Sequence, residues 1–163
     1  MSHPTRIGEL TLAATSHTLI CCAFETREEV AERIGNKLPL ATDPTPLQQR
    51  VLHDAMEQID SYLDGRRQAF TLPLDLCLAT DFVRLTVHTL SRTVPYGSTT
   101  TYGALAAAIG RPRSARAVGR ALGANPLCVL LPCHRAVGAG GKLTGYAGGI
   151  NAKDFLLTLE RSG

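Results

Sequence analysis

Several things are missing from this chain, and each absence excludes something. No stretch is long and apolar enough to span a membrane, and none is of low complexity. The opening residues Met1-Ser2-His3-Pro4-Thr5-Arg6 are polar and contain no signal-peptide core, so a cytoplasmic location without a membrane partner is expected. Five cysteines are an odd number with no zinc-type spacing, which argues against a disulfide framework. His17, Cys21 and Cys22 lie close together. A fourth metal ligand is not evident, however, and adjacent strand residues face opposite ways. Buried thiols and no metal are the expectation there. Tryptophan is absent, and no carboxylate occurs between Asp81 and Asp154.

The missing carboxylates expose a division of charge. Residues 1–76 hold seven Lys/Arg against eleven Asp/Glu, whereas residues 77–163 hold ten against three. A basic half suits a polyanion, nucleic acid first, although a solvated basic face would look the same. With 163 residues and 44% hydrophobic content, the chain can form one ordinary domain or two small ones. The charge boundary favours two, 1–76 and 77–163.

In the first half, Ile7–Ala14 alternates as a strand, and Thr18–Phe24 follows a Thr15-Ser16 turn to make a hairpin. Thr26 and Glu29 spell a capping box for a helix with Val30, Ala31 and Ile34 on one face and Gly35 as its stop. Leu38-Pro39-Leu40 is at most an edge strand, and Asp43-Pro44-Thr45-Pro46 is a loop. Leu47, Val51, Leu52, Ala55, Met56, Ile59 and Leu63 mark an amphipathic helix ending at Gly65. Phe70, Leu72, Leu74 and Leu76 alternate as one more strand. This half reads as a small α/β domain.

In the second half, Asp81 N-caps a helix whose stripe is Val83, Val87, Leu90 and Val94, stopped by Pro95-Tyr96-Gly97. An alanine-rich helix, Thr100–Ile109, closes at Gly110, and another runs from Arg113 to Leu122 with Gly123 as its cap. On a basic segment this pair is a helix-turn-helix candidate, as any αα-hairpin would be. Ala117, Ala121 and Ala124 share a face thinned by Gly119 and Gly123 and surrounded by Arg113, Arg116 and Arg120. Such a face fits a neighbouring helix or a shallow groove. Gly138–Lys142 is a hairpin tip and candidate wing. Asn151 caps a last helix whose stripe is Ala152, Phe155, Leu156 and Leu159, with Glu160 at its edge.

Leu130-Leu131-Pro132-Cys133-His134-Arg135 carries the chemistry. A thiolate is the reactive form of cysteine, and neighbouring His or Arg groups favour it. On an extended strand Cys133 and His134 would diverge, but Pro132 ends regular pairing and permits a turn serving one pocket.

Pro132-Cys133-His134-Arg135 with Tyr146-Ala147-Gly148-Gly149 resembles the O6-alkylguanine-DNA alkyltransferase family. Pro95-Tyr96-Gly97, Thr101-Tyr102, Ala115–Gly119, Asn125-Pro126 and Glu160 follow in the family's order. The resemblance is strong from Thr80 to Arg161 and covers only the general layout before that. Two departures are His88 where relatives often carry tryptophan, and Ala136 where many have a larger aliphatic residue.

The resemblance implies a ribonuclease-H-like α/β domain followed by a mainly helical, winged-helix-like domain containing the helix-turn-helix. It implies repair of O6-alkylguanine in double-stranded DNA, with O4-alkylthymine left open as a second substrate. The damaged nucleotide is flipped out and its alkyl group moves irreversibly to Cys133, once per molecule and with no cofactor. His134 would take the thiol proton through a water, Glu160 would orient His134, Tyr102 would donate to the departing base, and Asn125 would brace the turn. DNA contacts would come from Thr101, Arg113, Arg116, Ala117, Gly119, Arg120 and Ala121, with Arg116 filling the gap in the stack. Pro132, Tyr146, Ala147, Gly148, Gly149 and Leu122 would line the pocket, and Arg135 would be structural. A monomer is implied, with cooperative binding along DNA left open.

Three rivals share parts of this pattern. A damage sensor of similar fold would lack the thiol. A cysteine hydrolase would use Cys, His and Glu for acyl transfer but leave the basic half idle. A plain helix-turn-helix regulator would make Cys133-His134 incidental.

Overall fold

The computed structural model describes residues 1–39 and 43–163. Two compact units emerge: Met1–Leu78 with Pro126–Leu130, and Ala79–Asn125 with Leu131–Gly163. A single cut at 76/77 therefore misses one return of the chain.

The first unit is an antiparallel sheet of β1 (Ser2–Thr5), β2 (Gly8–Ala14) and β3 (Leu19–Ala23), in that order. Helices α1 (Arg27–Gly35) and α2 (Pro46–Leu63) complete it. Strand β1 carries no hydrophobic alternation and was not legible in the sequence; pairing with β2 creates it. Both helices begin at full capping boxes, Thr26 with Glu29 and Thr45 with Gln48, so Thr45 and Pro46 belong to the start of α2 rather than to a loop. Part of the edge strand considered at Leu38-Pro39-Leu40 lies outside the described residues, and Leu38 packs against a cluster of Ile20, Cys21, Ala23, Val30, Ile34 and Leu78.

All five residues of β3 are buried although it ends the sheet. Two isolated bridges cover its open edge, Leu19 with Leu74 and Cys22 with Leu127. Leu19 N–H donates to Pro73 O (2.9 Å), and Cys22 N–H donates to Pro126 O (2.7 Å). A proline offers a carbonyl but no N–H, so each covering segment pairs briefly and stops. This explains why the expected Phe70–Leu76 strand is reduced to one bridge. It also explains how Pro126–Leu130 comes to belong to the N-terminal unit.

The second unit contains α3 (Asp81–Thr93), α4 (Tyr102–Ala108), α5 (Ala115–Gly123) and α6 (Gly149–Ser162). The cap of α3 is Thr80, whose Oγ1 accepts from Val83 N–H; Asp81 is the first helical residue. Its buried stripe is Val83, Thr86, Val87 and Leu90. Helices α3, α4 and α5 pack on one another. The α4 end is a Schellman motif: Gly110, at φ 75°, donates to Ala107 O and Arg111 donates to Ala106 O. A glycine tolerates that backbone where a β-carbon would strain it, and the turn sets up the helix-turn-helix. Helix α5 starts two residues later than the sequence suggested, after Ser114. Helix α6 starts earlier, after Gly148, so Asn151 lies inside it rather than capping it.

Two-residue strands β4 (Thr100–Thr101) and β5 (Ala136–Val137) pair in parallel. Their pairing brings the start of α4 beside the residue that follows the Cys133-His134-Arg135 turn. The Gly138–Lys142 loop closes on itself, Gly138 N–H donating to Lys142 O at 2.8 Å.

Candidate active site

The backbone entering Cys133 is bent twice. Leu130 N–H donates to Cys128 O around Val129, a β-branched residue at φ 71°, where side chains strain the chain. Cys133 N–H then donates to Leu131 O (2.8 Å) around Pro132 at φ −80°, ψ 61°, an inverse γ-turn. Buried Asn125 donates from Nδ2 to the same Leu131 carbonyl at 3.0 Å. One carbonyl thus ties Asn125 to the backbone of the thiol residue. Cys133–Arg135 continue as a single 3-10 turn, with Arg135 N–H donating to Pro132 O. The strand-like divergence of Cys133 and His134 does not arise.

All three residues of that turn are buried, and His134 is 0% exposed. Glu160, 3% exposed, gathers His134 and Arg135. His134 Nε2 lies 2.6 Å from Glu160 Oε1, and because a carboxylate only accepts, Nε2 carries the proton. Arg135 grips the same carboxylate with Nε (2.8 Å to Oε2) and Nη2 (3.1 Å to Oε1), and its Nη1 donates to Val94 O. Gly97 N–H donates to Oε2 at 3.1 Å. The remaining ring nitrogen, His134 Nδ1, is buried with no hydrogen-bond partner among the described residues. Burial depresses the His134 pKa below its ordinary value, and the Glu160 hydrogen bond and charge oppose that only in part. The resting imidazole is therefore neutral, with a free lone pair on Nδ1.

Gly97 has a narrow tolerance. Its φ is 77°, and a β-carbon there would stand 2.9 Å from the Glu160 backbone oxygen. Gly97→Ala is expected to cost about 1–3 kcal/mol through backbone strain alone. An unchanged urea midpoint would show that the contact relaxes freely.

Tyr102 opens α4, and its phenol oxygen meets Lys153 Nζ (3.2 Å) and Thr144 Oγ1 (3.4 Å). Lys153, 0% exposed, also donates to Ala136 O (2.6 Å) and Thr144 O (3.0 Å). Sequence reasoning missed this lysine. The signal was present, since Lys153, Leu156 and Glu160 share one face of α6 at helical spacing. The buried residues of α6 are Ala152, Lys153, Leu156, Leu157 and Glu160, while Phe155 and Leu159 are only half-buried.

On α5, Arg116 and Arg120 are exposed, as is Arg113 just before it. The alanine face divides: Ala117 is half-buried, Ala121 is buried with Val118 and Leu122, and Ala124 is exposed. Ala121 therefore serves packing within the unit and not an open groove-facing surface. A β-carbon at Gly119 would lie 3.8 Å from the Tyr102 ring, so this small residue sits against the phenol. Leu122 is buried on the same inward side of α5. Thr101 caps α4, accepting from Ala104 N–H at 3.1 Å. Pro132 is buried, and Tyr146, half-buried, meets His134 edge-on at 6.4 Å between ring centres. Ala147 is exposed, Gly148 precedes α6, and Gly149 begins it at φ 83°.

Residues 3–76 match the ribonuclease-like domain of 6-O-methylguanine DNA methyltransferase, and residues 83–162 match its DNA-binding domain. A Mycobacterium tuberculosis protein named methylated-DNA–protein-cysteine methyltransferase is 43% identical over 156 residues, covering 96% of this chain and 88% of that relative. The crystal structure of Mycobacterium tuberculosis O6-methylguanine methyltransferase superposes with a TM-score of 0.79 at 40% identity, covering 99% of this chain and 91% of that one. A Mycobacterium tuberculosis OGT in complex with DNA gives 0.77 at 38% identity over the same shares. An archaeal O6-methylguanine-DNA methyltransferase from Pyrococcus kodakaraensis gives 0.72 at 27%, covering 98% and 97%. With both domains matched in order, this chain belongs to the 6-O-methylguanine DNA methyltransferase family.

Proposed function

We propose that this protein repairs O6-alkylguanine in duplex DNA by moving the alkyl group onto Cys133. The observation that carries the reading is the buried Cys133-His134 turn whose imidazole is held by Glu160 at 2.6 Å. A thiol at its ordinary pKa is mostly protonated at neutral pH and needs a base. His134 Nδ1 takes that proton through a bridging water, and Glu160 stabilises the imidazolium that results.

Sulfur then attacks the alkyl carbon. The S–C bond forms, the C–O6 bond breaks, and the bonding pair goes to the guanine. The proton taken from the thiol returns to the base, so neutral guanine leaves and His134 is neutral again. Tyr102 donates a hydrogen bond to the base as its negative charge grows. A stacked base cannot reach a buried thiol, so the nucleotide is flipped out. Arg116, exposed on α5, fills the gap while α5 lies in the minor groove, with Arg113 and Arg120 on phosphates. Duplex DNA as partner is supported by the DNA complex of the Mycobacterium tuberculosis relative. The reading uses no cofactor and one protein molecule per lesion.

The product is a thioether, with no carbonyl for water to attack, so each chain acts once. Mass spectrometry after incubation with excess O6-methylguanine duplex is expected to find one methyl group per chain, located on Cys133 and not on Cys128. Continued transfer beyond one equivalent would sink the reading. Arg116→Ala is expected to slow transfer at least tenfold, since unstacking a base costs a few kcal/mol and the open stack loses its filler. Stopped-flow measurement at saturating DNA tests this, and a wild-type rate would remove Arg116 from its assigned place.

A further inference from the structure

The turn between α4 and α5 carries an arginine that the reading above leaves idle. Arg111 is exposed, and its guanidinium carbon stands 5.2 Å from the centre of the Phe82 ring. Phe82 is the second residue of α3, half-buried and outside the buried stripe of that helix. Its backbone is fixed, because its carbonyl accepts from the hydroxyl of fully buried Thr86 at 2.8 Å.

The side chain of Arg111 is not needed to shape the turn. Arg111 N–H already donates to Ala106 O at 2.8 Å, and Ser114 N–H donates to Arg111 O at 2.9 Å around Pro112. Both polar groups of the Arg111 backbone are thus committed. An arginine loose on such a turn would lose rotamer freedom on meeting any partner. Resting on a ring from another helix, it gives up part of that freedom in the folded chain, and cation–π attraction offsets the loss.

The charge has no use within the chain. Among the described residues no carboxylate pairs with Arg111, and Asp81, the sole acid of α3, pairs with Arg84 at 3.3 Å. A phenyl ring is no ordinary hydrogen-bond acceptor, so the guanidinium keeps its N–H donors open. A planar fork of donors matches the oxygens of a phosphodiester. Arg113 and Arg116, the residues already assigned to DNA, follow two and five positions on, so a duplex that meets them passes this turn.

We propose that Arg111 is a phosphate-binding residue of the DNA surface, held by Phe82 as a preformed guanidinium fork. This rests on duplex DNA being the partner, and it deepens that reading. A backbone contact carries no sequence information and needs no lesion, so it serves the encounter with undamaged duplex as much as with damaged.

The test is fluorescence anisotropy on an undamaged duplex between about 50 and 200 mM salt, which keeps alkyl transfer out of the measurement. Arg111→Ala is expected to bind about tenfold more weakly at the low-salt end, and to reduce the slope of log K against log salt by about 0.9, the value for one phosphate contact. Arg111→Lys keeps the charge and should keep the wild-type slope. Phe82→Leu keeps it too, and should weaken binding about two- to fivefold, the share of a cation–π contact at an exposed site. Urea midpoints show whether each variant is folded, and the two Arg111 variants carry the test if Phe82→Leu is not.

A wild-type slope for Arg111→Ala would make Arg111 a tether between the turn and α3 and overturn the proposal, even if affinity falls. Wild-type affinity for Phe82→Leu would overturn the preformed fork. Methyl transfer to Cys133 of the wild type is scored separately on O6-methylguanine duplex. Its absence would refute the proposed function, whereas the salt slopes judge Arg111 alone. No measurable binding of duplex by the wild type would overturn both.

Discussion

Cys133→Ala is expected to lose alkyl transfer entirely and to retain DNA binding. The attack needs a sulfur lone pair, and the turn offers no substitute: His134 Nδ1 is the proposed base, and the Arg135 guanidinium has no nucleophilic lone pair and is held by Glu160. Removing one buried sulfur leaves a small cavity costing about 1 kcal/mol, too little to unfold an ordinary domain. The arginines assigned to DNA, Arg113, Arg116 and Arg120, are exposed on or beside α5, and their positive charge is untouched by the change. Quantifying methylated protein by mass spectrometry and binding by fluorescence anisotropy gives the two readouts. Any methyl transfer by the variant would place the acceptor elsewhere. Lost binding would mean that the thiol turn also shapes the DNA surface. The rivals separate in the same experiment, because a sensor or a regulator would transfer nothing even as wild type. A hydrolase would turn over repeatedly on acyl substrates.

Glu160→Gln is expected to produce the second largest effect, on stability and chemistry together. The carboxylate accepts from His134, from two nitrogens of Arg135 and from Gly97 N–H, all within 3.2 Å. Neutralising it leaves the buried Arg135 guanidinium without a counter-charge, and breaking such a pair costs about 3–5 kcal/mol. It also removes the group that stabilises the His134 imidazolium, and loss of effective general-base assistance slows transfer by about 10²–10⁴-fold. Urea denaturation and single-turnover kinetics measure the two losses. Adding Arg135→Met to the variant should recover part of the stability and none of the rate. Recovery of both would show that Glu160 acts only as a packing partner.

The pH dependence of stability follows from the same cluster. His134 has its folded pKa below the ordinary value of 6.5, so at acidic pH the unfolded chain binds a proton that the folded chain resists. Its contribution is therefore complete above 6.5 and declines as pH falls below that value. Without Glu160 the two influences that raise the His134 pKa disappear, and the decline should extend further into acid.

Much of this molecule is legible residue by residue. The capping box at Thr26 and Glu29, the stripe Val83, Val87 and Leu90, and the turn at Gly110 depend on neighbours a few positions apart. Local backbone preferences and the helical repeat suffice to place them. The Cys133-His134-Arg135 run, the carboxylate at Glu160 and the basic second half were legible for the same reason: residue type and spacing carry them.

Other features were settled by partners far along the chain. Strand β1 exists because β2 accepts it, and the apolar alternation of Phe70–Leu76 yields one bridge because Pro73 offers no N–H. Pro126–Leu130 covers the edge of β3 from more than a hundred residues away in sequence, a pairing that no local pattern encodes. The alanine face of α5 is split by packing against α3 and α4, which turns Ala121 inward. Arg135 shares Glu160 with His134, and Lys153 goes to full burial with three oxygens around it. A charged side chain is normally assigned to solvent, and only hydrogen-bond acceptors delivered by separate elements make its burial tolerable. Residue type thus named the candidate nucleophile, whereas its surroundings come from contacts that the folded chain alone brings together.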